Sequence, residues 1–330
     1  MFNASNDSDN IYSRFGGKSG YVMYYMTMLV ILIAGISGNG ITIVICRRPE
    51  HRKKEITPLL INLAVADLII VTFGYSLTFT SNIRGAYLVE GDPLCYWSAI
   101  VNGTVGIGSI GTMVVVNILI YKSTRRNIMF KLSPRTMAVA FVGIWTYSAC
   151  VVFPPLFGWN RIVPGTTHTS CEPDWSNQTS LGLSYNIYMM VFGFFLPLIC
   201  ISFTFYRIRK CLAAPTVLQN TFKKRAHVEL VRMMTGVVTA FTLSWSPYAI
   251  VCLKSMVVGK QKLAPFTSEV TALMAKASAV YNPIVYVVLS KRFRSSLVSL
   301  VVSVAEGLLG KNRIRPLRIQ VAPSASSNKT

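Results

Sequence analysis

Seven long apolar stretches set the frame for what this chain can fold into. They run over about Tyr21–Cys46, Pro58–Asn82, Leu94–Tyr121, Thr136–Phe157, Leu183–Tyr206, Val231–Val258 and Leu263–Leu289. Each holds the roughly 20 predominantly apolar residues that a helix needs to cross a bilayer core. Inside hydrocarbon every backbone donor and acceptor must find a partner within the protein, so such stretches read as helices. Composition agrees: hydrophobic residues make up 52% of the chain and charged residues 14%, an unusual balance for a soluble domain. The expected fold class is an all-α membrane protein, a seven-transmembrane helix bundle.

The charge of the chain has to be read by position. A net charge of +21 invites a nucleic-acid partner, but most Lys and Arg fall after spans one, three and five and in the tail. Only Arg14, Lys18, Arg84, Arg161, Lys254, Lys260 and Lys262 lie on the opposite side. That bias is the positive-inside rule. It excludes nucleic acid as the reason for the charge and places the N-terminus outside and the tail in the cytoplasm. Basic clusters such as Arg47-Arg48 with Arg52-Lys53-Lys54 suit an anionic leaflet of the lipid bilayer. The chain divides into an extracellular segment 1–20, a membrane domain 21–300 and a cytoplasmic tail 301–330. The polar, acid-bearing start predicts no cleavable signal peptide. Glycosylation triplets begin at Asn3, Asn6 and Asn177 on the outer side. Of seven cysteines, Cys95 and Cys171 fall on that side, where an oxidising compartment permits a bridge pinning the loop over the bundle.

One residue breaks the apolar pattern. Lys276 sits in the middle of the seventh stretch, far from Lys262 and Lys291 at its ends. A lysine at the bilayer centre costs roughly 2.5–3.5 kcal/mol on the gentler insertion scale. It either faces a watery cavity or an acid, or is kept for its amine. A low-dielectric pocket leaves an amine partly neutral and able to form a Schiff base with an aldehyde.

Six residues later come Asn282-Pro283-Ile284-Val285-Tyr286, then Lys291-Arg292-Phe293-Arg294. This run resembles the last transmembrane helix of rhodopsin-like G-protein-coupled receptors, with its NPxxY motif and short amphipathic eighth helix. Lys276 is similarly placed to the retinal-attachment lysine of opsins. The run from Gly158-Trp159 to Cys171 and Trp175 is similar to neuropsin-type, non-visual opsins. The resemblance implies a plasma-membrane photoreceptor with retinal as a covalent cofactor on Lys276. It places Trp245, Tyr248, Gly103, Gly106 and Phe194 along the chromophore. It also implies receptor switch residues: Asn39 and Asn282 bonding Asp67, with water or a sodium ion between, and a kink at Pro247 in span six. Pro283 and Tyr286 complete that set. A heterotrimeric G protein is the implied partner.

The departures matter as much. The family pattern expects Asp/Glu-Arg-Tyr some 24 residues after the outer cysteine, and counting from Cys95 lands on Leu119-Ile120-Tyr121. Phe205 stands where a tyrosine is usual. Both familiar positions for an acid balancing a protonated Schiff base hold Ser98 and Gly165. Among the 12 acids, Glu172 ranks first as counterion, because Cys171 would draw it over the pocket. Glu269 ranks second, seven residues before Lys276 and so about 10 Å up the same helix face at 1.5 Å per residue. A neutral Schiff base without counterion, absorbing in the near ultraviolet, is the third option. Asp174, Glu90 and Asp92 are expected on the solvated rim.

Three functions follow. A light-activated receptor uses the intact NPxxY motif. A retinal photoisomerase with little G-protein coupling accounts for Ile120. An orphan receptor for a diffusible ligand would use Lys276 as a pocket cation. Hydrolytic or redox enzymes find no support, since there is no nucleotide loop and no metal-spaced set around His51, His168 and His227.

Overall fold

The computed structural model describes residues 12–13, 15–52, 56–83, 88–126, 133–213, 221–258 and 265–309. Asn3, Asn6, Arg14, Lys53, Lys54, Arg84, Lys260, Lys262 and the tail from residue 310 lie outside them. Among the described residues, seven helices are long and apolar enough to cross a membrane: Lys18–Cys46, Thr57–Tyr75, Pro93–Arg126, Pro134–Val152, Ser180–Ala213, His227–Val258 and Pro265–Leu289. They are spans one to seven below. An eighth helix, Lys291–Leu309, follows span seven after a break at Ser290.

Their ends follow from local chemistry. Ser133 caps span four by accepting the Thr136 N–H at 3.1 Å, with Pro134 in the first turn, where its missing N–H is no loss. Thr179 caps span five in the same way through Gly182 N. Span four stops at Pro154-Pro155, and Gly158 closes the short turn after it in the left-handed conformation (φ 86°). Spans three and five run several residues beyond the apolar stretches, because polar Lys122–Arg126 and Arg207–Lys210 continue the helix without needing lipid.

Lipid-facing apolar residues ring the bundle, among them Val30, Ile33, Val139, Val142, Ile199 and Ile250. Between helices in lipid the hydrophobic drive is weak, and close backbone approach carries the packing. Gly38 shows it: a Cβ there would lie 3.1 Å from the Pro283 ring, so glycine lets spans one and seven meet. The inner half of the core is built from Leu63, Met113, Ile201, Met234, Val237 and Tyr286. The outer half is an aromatic cluster in which Phe15, Tyr24 and Tyr25 pack on Val71 and Tyr75.

Two wide π turns interrupt the helices, at Ile70–Tyr75 in span two and Val191–Phe195 in span five. The Thr72 and Ser76 hydroxyls donate to the Leu68 and Thr72 carbonyls there. Over the outer mouth lies a two-stranded antiparallel hairpin, β1 (Ile162–Pro164) against β2 (Cys171–Pro173), with Val163 opposite Glu172. Cys95 at the start of span three is bonded to Cys171, which fixes β2 above the bundle.

Candidate functional site

A cavity of about 170 Å³ opens beneath the hairpin. Gly103, Gly106, Phe194, Trp245, Tyr248 and Lys276 all line it, with Cys171 and Glu172 as its roof. The structure therefore brings together every residue that the sequence placed along a ligand. Gly103 and Gly106 also pack closely, a Cβ at each meeting Val152 at 2.9 Å and the Trp245 ring at 3.1 Å. Close packing and ligand room are thus the same feature. Side chains of any size at these positions would fill the cavity from one wall.

Span six supplies the floor. Trp245 stacks on Phe241, and its indole N–H donates to Ser278 Oγ at 3.1 Å. Pro247 lies inside this helix, where it removes one backbone bond. The π turns bring Phe194 and Tyr75 to the cavity wall; π turns gather at functional sites, and neither was evident in the sequence.

Lys276 is buried and points up its own helix, as helical side chains do. Its Nζ lies 3.8 Å from Glu269 Oε1 and donates to the Tyr24 hydroxyl at 3.3 Å. Of the two candidate carboxylates, Glu269 is the one that stands beside the amine. Glu269 reaches the amine because the long lysine stem spans most of the 10 Å axial separation. Glu172 instead accepts from the Tyr248 hydroxyl at 2.6 Å, and Trp175 Nε1 donates to that same hydroxyl at 3.3 Å. Thr167 and Thr169, absent from any expectation, donate to the two oxygens of Glu269. Isolated loop threonines carry no sequence signal, and neither does Tyr24.

Asp174 also differs from expectation. It is buried, paired with Arg161 at 2.8 Å, and accepts from Ser176 N–H and Oγ. It holds the loop together from inside rather than facing water. Glu90 stays on the rim, 3.7 Å from the same Arg161, and Asp92 accepts the Leu94 N–H at the start of span three. Asn177 turns its amide onto Asn160 Oδ1 at 2.9 Å.

Deeper, Asn282 Nδ2 donates to Asp67 at 2.9 Å, and both border a small cavity with Ser109 and Ser278. These are hard oxygen donors of the kind a sodium ion takes. Asn39 does not join them. Its amide donates to the Ala279 carbonyl at 2.8 Å. That carbonyl lacks a helical partner because residue 283, four positions on, is proline.

At the end of the bundle away from the hairpin, Ile120 is buried where the family pattern would place an arginine. Arg207 of span five reaches the neighbouring Tyr121, donating to its hydroxyl at 3.0 Å. Ser123 and His227 join spans three and six at 2.9 Å. Tyr286 packs against Phe293 of the eighth helix.

The chemistry available is that of an amine in an apolar, roofed cavity, with one carboxylate beside it. An elongated apolar aldehyde such as retinal fits this set: apolar walls along its length and a nucleophilic nitrogen at one end.

Comparison with known proteins gives a consistent result. Residues 38–286 match the family described as 7 transmembrane receptor (rhodopsin family). The chain is 30% identical to green-sensitive opsin-1 of Carassius auratus, over 94% of this chain and 86% of that one. It is 28% identical to the rhodopsin of Leucoraja erinaceus, over 98% and 95%. The crystal structure of squid rhodopsin superposes with a TM-score of 0.75 at 25% identity, covering 90% of this chain and 93% of that one.

Proposed function

Because the chain belongs to the opsins of the rhodopsin family of seven-transmembrane receptors, we propose that it is a photoreceptor carrying retinal on Lys276. The observation that carries the reading is the Lys276 amine, buried in the wall of an apolar cavity with Glu269 3.8 Å away. Attachment would join the nitrogen to the aldehyde carbon as a Schiff base and release the carbonyl oxygen as water. Retinal, when bound, supplies light absorption and a change of shape. The chain's own residues do the rest. Glu269 balances a proton held on the Lys276 nitrogen, and a carboxylate so placed favours a visible rather than a near-ultraviolet pigment. The roof of Cys171 and Glu172 keeps water from the linkage. Trp245, wedged against Gly106 and tied to Ser278, passes a shape change to span six beside the Pro247 break. Movement of span six would open the basic cytoplasmic face to a heterotrimeric G protein. The proposed setting is the plasma membrane, and the charge distribution favours the N-terminus outside.

A second reading rests on Ile120. Without the arginine at the end of span three, the chain would act as a photoisomerase that converts retinal and releases it without signalling. The intact Asn282-Pro283-Tyr286 set and the Asn282–Asp67 bond favour the receptor. The test is to add cis or trans retinal in darkness, record spectra before and after a flash, and follow nucleotide exchange on an added G protein. A receptor gives exchange that depends on both light and retinal. Release of isomerised retinal without exchange would favour the isomerase.

A further inference from the structure

Thr167 and Thr169, in the turn joining β1 to β2, are among the most buried polar residues of the protein, at 0% and 2% exposure. Thr167 Oγ1 donates to Glu269 Oε2 at 2.5 Å and Thr169 Oγ1 to Oε1 at 2.8 Å. The two hydroxyl oxygens are 2.9 Å apart. Both carboxylate oxygens thus receive a loop hydroxyl, and the oxygen held by Thr169 is the one facing Lys276. Residue 168 between them makes this convergence possible. His168 has φ 61°, and among the described residues it is the non-glycine with positive φ, a conformation uncommon outside glycine. It is held there from outside: Leu88 N donates to its carbonyl at 3.3 Å, and its ring Nδ1 meets the Leu88 carbonyl at 3.1 Å. Gly165 N bonded to Ser170 O at 2.8 Å closes the base of the turn. Two residues past Thr169, the Cys95–Cys171 bond anchors the strand.

We infer that Thr167 and Thr169 are positioning residues for the counterion, clamping the Glu269 carboxylate at the Lys276 nitrogen in its charged form. The inference rests on the retinal reading above and deepens it. Hydrogen bonds from hydroxyls favour a carboxylate's charged form, and a buried anion short of donors takes up a proton instead. Loss of the clamp therefore loosens the carboxylate's hold on a proton carried by the nitrogen. Among the described residues, other titratable groups also face Glu269, including Cys252 of span six across a small cavity. Lys276 comes from span seven itself, and the Tyr24 hydroxyl from span one faces both Glu269 and Thr169. Glu172 of β2, held by Tyr248 of span six, stands across a small cavity that also touches Ser268. The outer loop, through two hydroxyls, would set the pH range over which the pigment keeps its visible band.

The experiment is a pH titration of the visible band in full-length protein loaded with cis retinal in darkness. Wild type, Thr167→Val/Thr169→Val and Thr167→Ser/Thr169→Ser are compared, with borohydride-trapped adduct measured for each. The valine pair should pass to near-ultraviolet absorption about one pH unit or more below wild type, the tenfold change expected for a lost charge-assisted hydrogen bond. The serine pair, which keeps both hydroxyls, should titrate like wild type. A valine pair with normal adduct and an unmoved midpoint overturns the clamp alone. So does a serine pair shifted as far as the valine pair, since methyl packing would then be the cause. If the valine pair yields no adduct, the single valine variants decide. An intermediate shift in either supports the clamp, and wild-type midpoints in both overturn it. A wild-type chain without adduct overturns the retinal reading and the clamp with it.

Discussion

Lys276 and Glu269 form a buried ion pair, 3.8 Å apart. Two unit charges about 4 Å apart interact by about 4 kcal/mol at an effective dielectric near 20. Removing one partner of a buried pair typically costs about 3–5 kcal/mol, because the other is left uncompensated. Glu269→Gln should therefore abolish the visible band at neutral pH while leaving the retinal adduct on Lys276. Glu172→Gln, whose carboxylate is engaged by Tyr248, should keep the visible band with only a small shift in its maximum. Absorption spectra of the two variants, read beside trapped adduct, check the assignment; the opposite pattern would hand the role to Glu172. Lys276 was legible in the sequence because a lone cation amid apolar residues has so few ordinary explanations. Its partner Glu269 was legible only as the second of two candidates, because axial spacing along a helix ignores how far two long side chains reach. The threonines were not legible, since their roles depend on the backbone turn at His168.

Elements meet here through groups that proline leaves unpaired. Pro283 removes the donor for the Ala279 carbonyl, and Asn39 of span one supplies it, drawn close by Gly38. Asn39→Ala should cost about 1–3 kcal/mol, the usual penalty for an orphaned buried carbonyl. Pro283→Ala returns a helical N–H to that carbonyl, so Asn39→Ala should cost measurably less in its presence. A thermal-denaturation double-mutant cycle checks this; strictly additive effects would mean the two do not share a partner. The hairpin roof is held by the bond between Cys95 and Cys171. Losing a native disulfide typically costs about 2–5 kcal/mol, so Cys171→Ser should bleach faster in warm darkness as water reaches the linkage. Equal dark half-lives for the two proteins would show that the roof does not protect it. Helix positions were readable from apolar length alone. The π turns at Ile70–Tyr75 and Val191–Phe195 were not, because an extra residue per turn leaves no mark on an apolar run.

At the scale of the whole molecule, the bundle and its charge asymmetry say the same thing. Apolar side chains face outward around seven spans, and basic residues gather at one end. The end away from the hairpin carries ties of its own, Tyr121 to Arg207 and Ser123 to His227, where the family pattern would use an arginine at residue 120. These ties were unreadable in advance because each joins residues of different helices. If they hold span six closed in darkness, Ser123→Ala should raise nucleotide exchange in the dark relative to wild type. Unchanged dark exchange would remove them from the switching account. The spectral and signalling expectations depend on the chromophore being attached where the cavity places its amine. The most direct test is to load the full chain with cis retinal in darkness, reduce with borohydride, digest and weigh the peptides. A retinyl adduct on the peptide containing Lys276, absent from Lys276→Ala, is the predicted result. No adduct, or the same adduct in Lys276→Ala, would contradict it.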